Sequence, residues 1–277
     1  MPDPISHALP AHLPPRADDC HKGDFGAVGI LGGAPGMAGA ALLAGRGALL
    51  CGAGRIYVGL LDDRVACDSA APELMITTPE RALELPAPAC LVAGPGLGQS
   101  GAARDWLRRA LATDFPLVLD ADALNLLAGD KILADALARR AAPGLITPHP
   151  GEAGRLLGLS AARVQGDREG AIRALAARCN TGVVLKGHSS LVLGRDGALW
   201  RNTTGNPGMA APGMGDVLSG IIAALAVQGL GLDAAAALGV WLHGAAGDRA
   251  VAQGLGPVGL TASEVARAAR EILNAGI

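Results

Sequence analysis

An alternation constrains this chain more than any other feature. Short apolar runs, each ending in glycine or a polar residue, are separated by stretches with helical spacing. The runs are "AVGILGG" (27–33), "RIYVGL" (55–60), "ACLVAG" (89–94), "FPLVLD" (115–120), "GLITPHPGE" (144–152) and "TGVVLKG" (181–187). Near-continuous apolar strands with helices between them predict an α/β fold with a parallel sheet buried on both faces. Helices are expected over 37–54, in "AARDWLRRALA" and in "GDREGAIRALAARCN". "SLVLG" and "ALWRN" predict a hairpin through Arg195-Asp196-Gly197, and three helices are expected from 213 onward. No repeat or low-complexity linker divides the chain. The expectation is a single α/β domain over 1–277, with a Pro-rich lead-in, residues 1–20, running over the surface.

Composition narrows the functional classes. Half of the 277 residues are hydrophobic but only 2% are aromatic, so the core is built from Ala, Val, Leu and Ile. Few aromatic platforms and a net charge of −2 without a basic run argue against nucleic acid and anionic membranes as partners. Five scattered cysteines with no CxxC spacing fit a reducing, cytoplasmic setting and not structural zinc. The N-terminus lacks the basic start and apolar core of a secretory signal, and the apolar runs near 217–227 and 234–242 are too short to span a membrane.

Five strand ends are chemically loaded: Gly32-Gly33, Gly94-Pro95-Gly96, Asp120-Ala121-Asp122, Thr147-Pro148-His149 and Lys186-Gly187-His188. Ligands of open α/β sheets sit outside the carboxyl ends of the strands, so these ends are expected to face one crevice. Gly96-Leu97-Gly98-Gln99-Ser100-Gly101 satisfies GxGxxG between a strand and a helix, with Asp120 closing the next strand. That is a dinucleotide fingerprint and supports a Rossmann dehydrogenase as one reading. It lies a third of the way along, however, and leaves "GNPGMAAPGMGD" (205–216) without a task. No GxxxxGK[ST], HExxH or GxSxG occurs. His149 and Glu152 flank a turn entering a helix, where Glu152 suits the helix dipole and His149, between two prolines, is rigidly aimed.

Asp216 stands where an apolar helix begins. Its ordinary meaning is an N-cap or first-turn acid, contributing about 1 kcal/mol. Gly213-Met214-Gly215 immediately before it exposes backbone N–H groups at the same helix end, an anion nest fit for phosphate. A carboxylate beside such a nest suits a general base that takes a hydroxyl proton as the oxygen attacks phosphorus.

The segments "HKGDFGAVGILGGAPGMAGAALLAGRGAL", "GPGLG", "LVLDADALNLL", "ITPHPGE", "VVLKG", "NTTGNPGMAAPGMGDVLSGIIAAL" and "GVWLHGAAGD" resemble, in order and composition, the ADP-dependent NAD(P)H-hydrate dehydratases of the ribokinase-like superfamily. The resemblance runs from about His21 to Asp248. It implies a three-layer α/β/α fold and repair of the (6S) epimer of hydrated NADH and NADPH, with ADP consumed to AMP and phosphate. It implies Asp216 as the base activating the ring hydroxyl, and Gly213, Met214 and Gly215 against the nucleotide phosphate. Lys186, Gly187, His188, Ser189 and Ser190 match the adenylate-binding strand end. Ala40 or Ala41, Gly98 and His149 match positions touching the hydrated dinucleotide, with Asn125 and Asn206 as secondary polar contacts. Mg²⁺ is implied, with Asp120 or Asp122 organising it through water or capping the following helix. Many members carry an epimerase domain; a first motif near residue 21 implies the dehydratase part alone, a homo-oligomer (tetramer favoured) and a separate epimerase as functional partner. Two departures stand out: Pro212-Gly213 where two glycines are frequent, and His188-Ser189 after "KG" where small or acidic residues are frequent. A small-molecule alcohol kinase of the same superfamily is the alternative.

Overall fold

The computed structural model describes residues 3–4 and 13–275. Its strands are β1 (Asp3–Pro4), β2 (Ala27–Gly32), β3 (Arg55–Leu60), β4 (Met75–Thr77), β5 (Ala89–Ala93), β6 (Leu117–Leu119), β7 (Gly144–Ile146), β8 (Gly182–Leu185), β9 (Leu191–Leu193) and β10 (Leu199–Arg201). The helices are α1 (Ala38–Leu50), α2 (Pro79–Ala82), α3 (Gly101–Leu111), α4 (Asp122–Gly129), α5 (Lys131–Ala138), α6 (Pro150–Leu157), α7 (Ala161–Gly166), α8 (Arg168–Cys179), α9 (Met214–Val227), α10 (Leu232–Ala252) and α11 (Ala262–Asn274). The strands form one sheet in the order β1-β10-β9-β8-β7-β6-β5-β2-β3-β4. All neighbours are parallel except β8 with β9 and β9 with β10, the latter pair being the expected hairpin. All six strands expected from the apolar runs are present. β1, β4 and the short helices α2, α5 and α7 are additions; a strand of two or three residues carries too little periodicity to be read. Of the lead-in, Asp3–Pro4 pair with Trp200–Arg201, and most of the remainder lies outside the described residues.

Each strand divides its side chains between two cores with a period of two. Val28, Ile30, Cys90, Val92, Val118 and Val184 face a cluster completed by α1, α9, α10 and α11. Leu31, Leu91, Ala93, Leu117, Leu119, Val183 and Leu185 face a second cluster with α3 to α8. Burial on both faces is what a parallel sheet requires, and it explains why the strand sequences read as unbroken apolar runs.

The small residues have a packing role. α1 and α9 cross so closely that a Cβ on Gly47 would lie 2.6 Å from the Val217 carbonyl oxygen, and one on Gly220 would run into the Ala44 carbonyl. This crossing presses α9 against β2, β5 and β6 and sets its first turn at their carboxyl ends. Gly220→Ala is therefore expected to destabilise the fold by about 1–3 kcal/mol through overpacking, despite the better helix propensity of alanine. A lower urea midpoint at unchanged m-value would show it, and an unchanged or raised midpoint would contradict so close a crossing. Among the described residues no helix is long and apolar enough to cross a membrane, and the five cysteines are unpaired.

Candidate active site

Four residues that follow parallel strands converge at the crest of the sheet. The backbone N–H groups of Gly94, Asp120, Thr147 and Lys186 each continue the ladder by one bond, to Leu31, Ala93, Leu119 and Pro148. The side chain of Asp120 is thereby fixed in the interior, 1% exposed. Its Oδ1 accepts from Lys186 Nζ at 2.6 Å and from the Ala121 N–H at 2.9 Å. Its Oδ2 accepts from Ser219 Oγ at 2.9 Å, one turn into α9. Lys186 Nζ also lies 4.0 Å from Glu152 Oε2, and Glu152 is itself buried. Gly215 fits against this cluster: a Cβ on it would stand 3.0 Å from Lys186 Nζ and 3.3 Å from Asp120 Oδ2.

Asp216 is not the cap of α9. That position is Gly213, whose φ of 84° is left-handed and suits glycine, and no side chain caps the helix. Asp216 sits in the first turn, half-buried, and its carboxylate makes no hydrogen bond among the described residues. The backbone N–H groups of Gly213, Met214, Gly215 and Asp216 likewise find no partner there, so the nest is open. Pro212 precedes the helix and removes none of these four donors.

One ammonium is shared among three carboxylates, and this sets the electrostatics. Burial works against the charge on Lys186, but Asp120 and Glu152 outweigh it and hold its pKa above the ordinary lysine value. Burial raises Glu152. Asp216 is pushed up to about 7, first by burial and then by the charge of Asp120, with Lys186 opposing and Asp122 and Glu152 adding to the rise. A carboxyl that exchanges its proton near neutrality, beside open N–H donors, has the properties of a general base at an anion site.

Several expected residues fall into place here and others do not. His149 caps α6: its Nδ1 accepts from the Gly151 N–H at 2.9 Å, while Glu152 Oε2 accepts from the His149 N–H at 2.8 Å. Its Nε2 is 3.4 Å from Glu152 Oε1, at the rim of the cluster. Gly98, φ 74°, donates its N–H to Asp122 Oδ2 at 2.8 Å, tying the loop after β5 to that after β6. Ala40 is half-buried near this loop, within reach of Gly96. Ala41 is 0% exposed and packs toward Gly32 and Gly33, so it is a core residue, and of the pair only Ala40 has exposed surface. Lys186 turns inward to the carboxylates, whereas Gly187, His188, Ser189 (φ 56°) and Ser190 form an outer loop closed by Ser190 Oγ donating to the Gly187 carbonyl. Asn125 bridges Asp122 and Arg155. Asn206 receives the Gly208 N–H and donates to Asp248, so its bonds run to α10 and not to the cluster. Gly96 of the apparent dinucleotide fingerprint is needed because the Met37 carbonyl passes against it, and Ala34 donates to its carbonyl. Gly96 thus serves loop packing, and Gly101 has open space around it, which weakens the physical basis of the Rossmann reading.

Three residues were not legible as site members. Ser219 lies inside the apolar run of α9, and Glu152 reads as a dipole partner. His243, on α10, is buried with Nε2 unpartnered; burial and the Lys186 charge push it down to about 4, so it is neutral. Its only signal is a histidine within "GVWLHGAAGD".

A parallel α/β/α layer structure with a half-buried carboxyl and an open helix N-terminus at its crest defines an enzyme of the ribokinase-like class. The family model for NAD(P)H-hydrate dehydratase matches residues 28–270, and the chain belongs to this family. It is 43% identical over 264 residues to the ADP-dependent (S)-NAD(P)H-hydrate dehydratase of Neisseria meningitidis serogroup B, covering 94% of this chain and 88% of that one. It is 43% identical to the bifunctional NAD(P)H-hydrate repair enzyme of Coxiella burnetii, spanning 95% of this chain but only 53% of that longer protein. The crystal structure of the ADP/ATP-dependent NAD(P)H-hydrate dehydratase of Bacillus subtilis, co-crystallised with ATP/Mg²⁺, superposes with a TM-score of 0.79 at 28% identity, covering 98% of this chain and 99% of that one.

Proposed function

We infer that this chain dehydrates the (6S) epimer of hydrated NADH and NADPH at the expense of ADP, releasing AMP and phosphate. The observation that carries the reading is the unpartnered Asp216 carboxyl, with a pKa of about 7, next to four open N–H groups of α9. In the first step Asp216 takes the proton of the ring hydroxyl as that oxygen attacks the β-phosphorus of ADP, and the bond from phosphorus to the AMP oxygen breaks. The nest of Gly213 to Asp216 neutralises the phosphoryl oxygens. The ring nitrogen then expels the phosphate, and loss of the neighbouring ring proton restores the double bond. Lys186 holds Asp120 and Glu152 as ion pairs, which keeps Asp216 titratable near neutrality.

Among the described residues no three His, Cys, Asp or Glu side chains converge as a metal cage. Asp120 is engaged by Lys186 and Ser219, and Asp122 accepts from the Gly98 N–H and more weakly from Asn125, so Asp216 is the carboxylate beside the nest with both oxygens to offer and Asp122 keeps only its second lone pairs. That donor set fits a Mg²⁺ ion that keeps phosphate oxygens and waters in its shell, where it supplies charge neutralisation for the transferred group. The exposed loop of Gly187 to Ser190 is the side from which the adenylate is held. Relatives named as bifunctional, about half of whose length this chain spans, support cooperation with an epimerase.

The direct test mixes purified protein, ADP, Mg²⁺ and hydrated NADH and follows NADH absorbance. Recovery that requires ADP or ATP is expected. A phosphorylated alcohol accumulating without NADH would favour the kinase reading instead.

A further inference from the structure

A cleft of about 750 Å³ opens at the carboxyl ends of β3 and β4. It borders the loops of the candidate active site: Ala34 and Ser100 line it, and a Cβ on Gly98 would be 3.4 Å from that of Ala34. In the sheet order, β3 stands three places from β6 and Asp120, about 14 Å at the usual strand spacing. The second nucleotide of a dinucleotide whose nicotinamide ring meets Asp216 can reach across that span. The opposite direction, over β7 and β8, is occupied by Glu152 and Lys186 and by the loop assigned to adenylate.

The cleft's lining suits an adenosine. Trp106, one of only three tryptophans in the chain, forms part of its wall and carries the Arg109 guanidinium on one face at 4.0 Å. The indole is half-buried against the core beneath α3, and the part of it that lines the cleft offers a base its aromatic surface. The charged residues lining the cleft are Asp62, Asp63 and Glu80, and among the described residues no lysine or arginine lines it. Asp62 is bound by Arg64 at 2.7 Å, whereas Asp63 is exposed and Glu80 has only a 3.8 Å contact with Arg109. Carboxylates accept hydrogen bonds from a ribose diol and repel a 2′-phosphate.

We propose that this cleft holds the adenosine half of the hydrated dinucleotide, with Trp106 beneath the base and Asp63 and Glu80 beside the ribose, so that hydrated NADH is preferred to hydrated NADPH. The proposal rests on the dehydratase reading, and its test separates the two. Steady-state constants are measured for hydrated NADH, hydrated NADPH and hydrated nicotinamide mononucleotide, and tryptophan fluorescence is titrated with NAD⁺. Trp106→Ala is expected to raise KM for hydrated NADH by about tenfold to a hundredfold at nearly constant kcat, the scale of a lost stacking contact. It leaves the mononucleotide constants unchanged and abolishes NAD⁺ quenching, and Trp106→Phe restores most of the affinity. Asp63→Asn with Glu80→Gln narrows the preference for hydrated NADH. An unchanged KM for hydrated NADH in Trp106→Ala, or an equal rise with the mononucleotide, overturns the assignment. If the wild type turns over none of the three yet NAD⁺ quenches Trp106, the dehydratase reading fails and the cleft assignment stands.

Discussion

Replacing Asp216 by asparagine is expected to lower ADP-dependent turnover of hydrated NADH by about 10²–10⁴-fold, the range of a lost general base, and at the same time to raise the melting temperature. The two effects have one origin. Burial and the charge of Asp120 raise the folded-state pKa of Asp216 from 3.8 to about 7. A group raised in this way contributes stability that is fully present below its unfolded pKa near 4 and is lost as pH rises through about 7. At pH 8 the ionised carboxylate is therefore a liability that the neutral amide removes. The shift sets an upper bound of about 4 kcal/mol, and partial access to water reduces it to about 2 kcal/mol, or about 4–8 °C in a chain of this size. Below about pH 4, where the folded and unfolded states both carry the proton, the gain should vanish. In the wild-type enzyme kcat/KM should rise with pH through a midpoint near 7 and lose that limb in the mutant. A mutant that loses stability at pH 8, or keeps its activity, would return Asp216 to the role of an ordinary first-turn acid.

The contrast between what sequence revealed and what it hid follows from the range of the interactions. Strands such as Arg55–Leu60 are recognisable because burial on both faces leaves a local, unbroken apolar signature. The nest is local too: Gly213 to Asp216 are adjacent in the chain, and a helix start always leaves its N–H groups free. The partners of Lys186 are not local. Asp120 is 66 residues away and Ser219 meets Asp120 across 99, so nothing in "VVLKG" shows that its ammonium turns inward. Ala40 and Ala41 are chemically identical in sequence, and only the packing of α1 against β2 decides which of them is sealed. The GxGxxG at 96–101 misleads for the converse reason. Glycine answers a close backbone approach whether the visitor is a pyrophosphate or the Met37 carbonyl.

Lys186 is where the two assignments make opposite demands. If it is chiefly the counterion of the buried carboxylates, Lys186→Met must cost stability and move the proton affinity of Asp216. Removing one partner of a buried pair typically costs about 3–5 kcal/mol, because the other charge is left uncompensated. Here Asp120 has no route to water, being 1% exposed, so the melting temperature should fall by about 10 °C. With the cation gone, the charge that opposes the rise of Asp216 is also gone, and the midpoint of the pH–activity profile should move above 7. Adding Asp120→Asn should recover part of the lost stability, since the double variant no longer buries an unpaired carboxylate, and a double-mutant cycle over the four proteins measures the coupling. A lysine that mainly grips the adenylate predicts another pattern. Its loss would raise KM for ADP with the pH midpoint and melting temperature unmoved, and Asp120→Asn would then add damage instead of relieving it. The 2.6 Å contact between Lys186 and Asp120, set against the absence of any hydrogen bond to Asp216 among the described residues, favours the first pattern. The lysine is the residue that lets the base be both buried and ionisable.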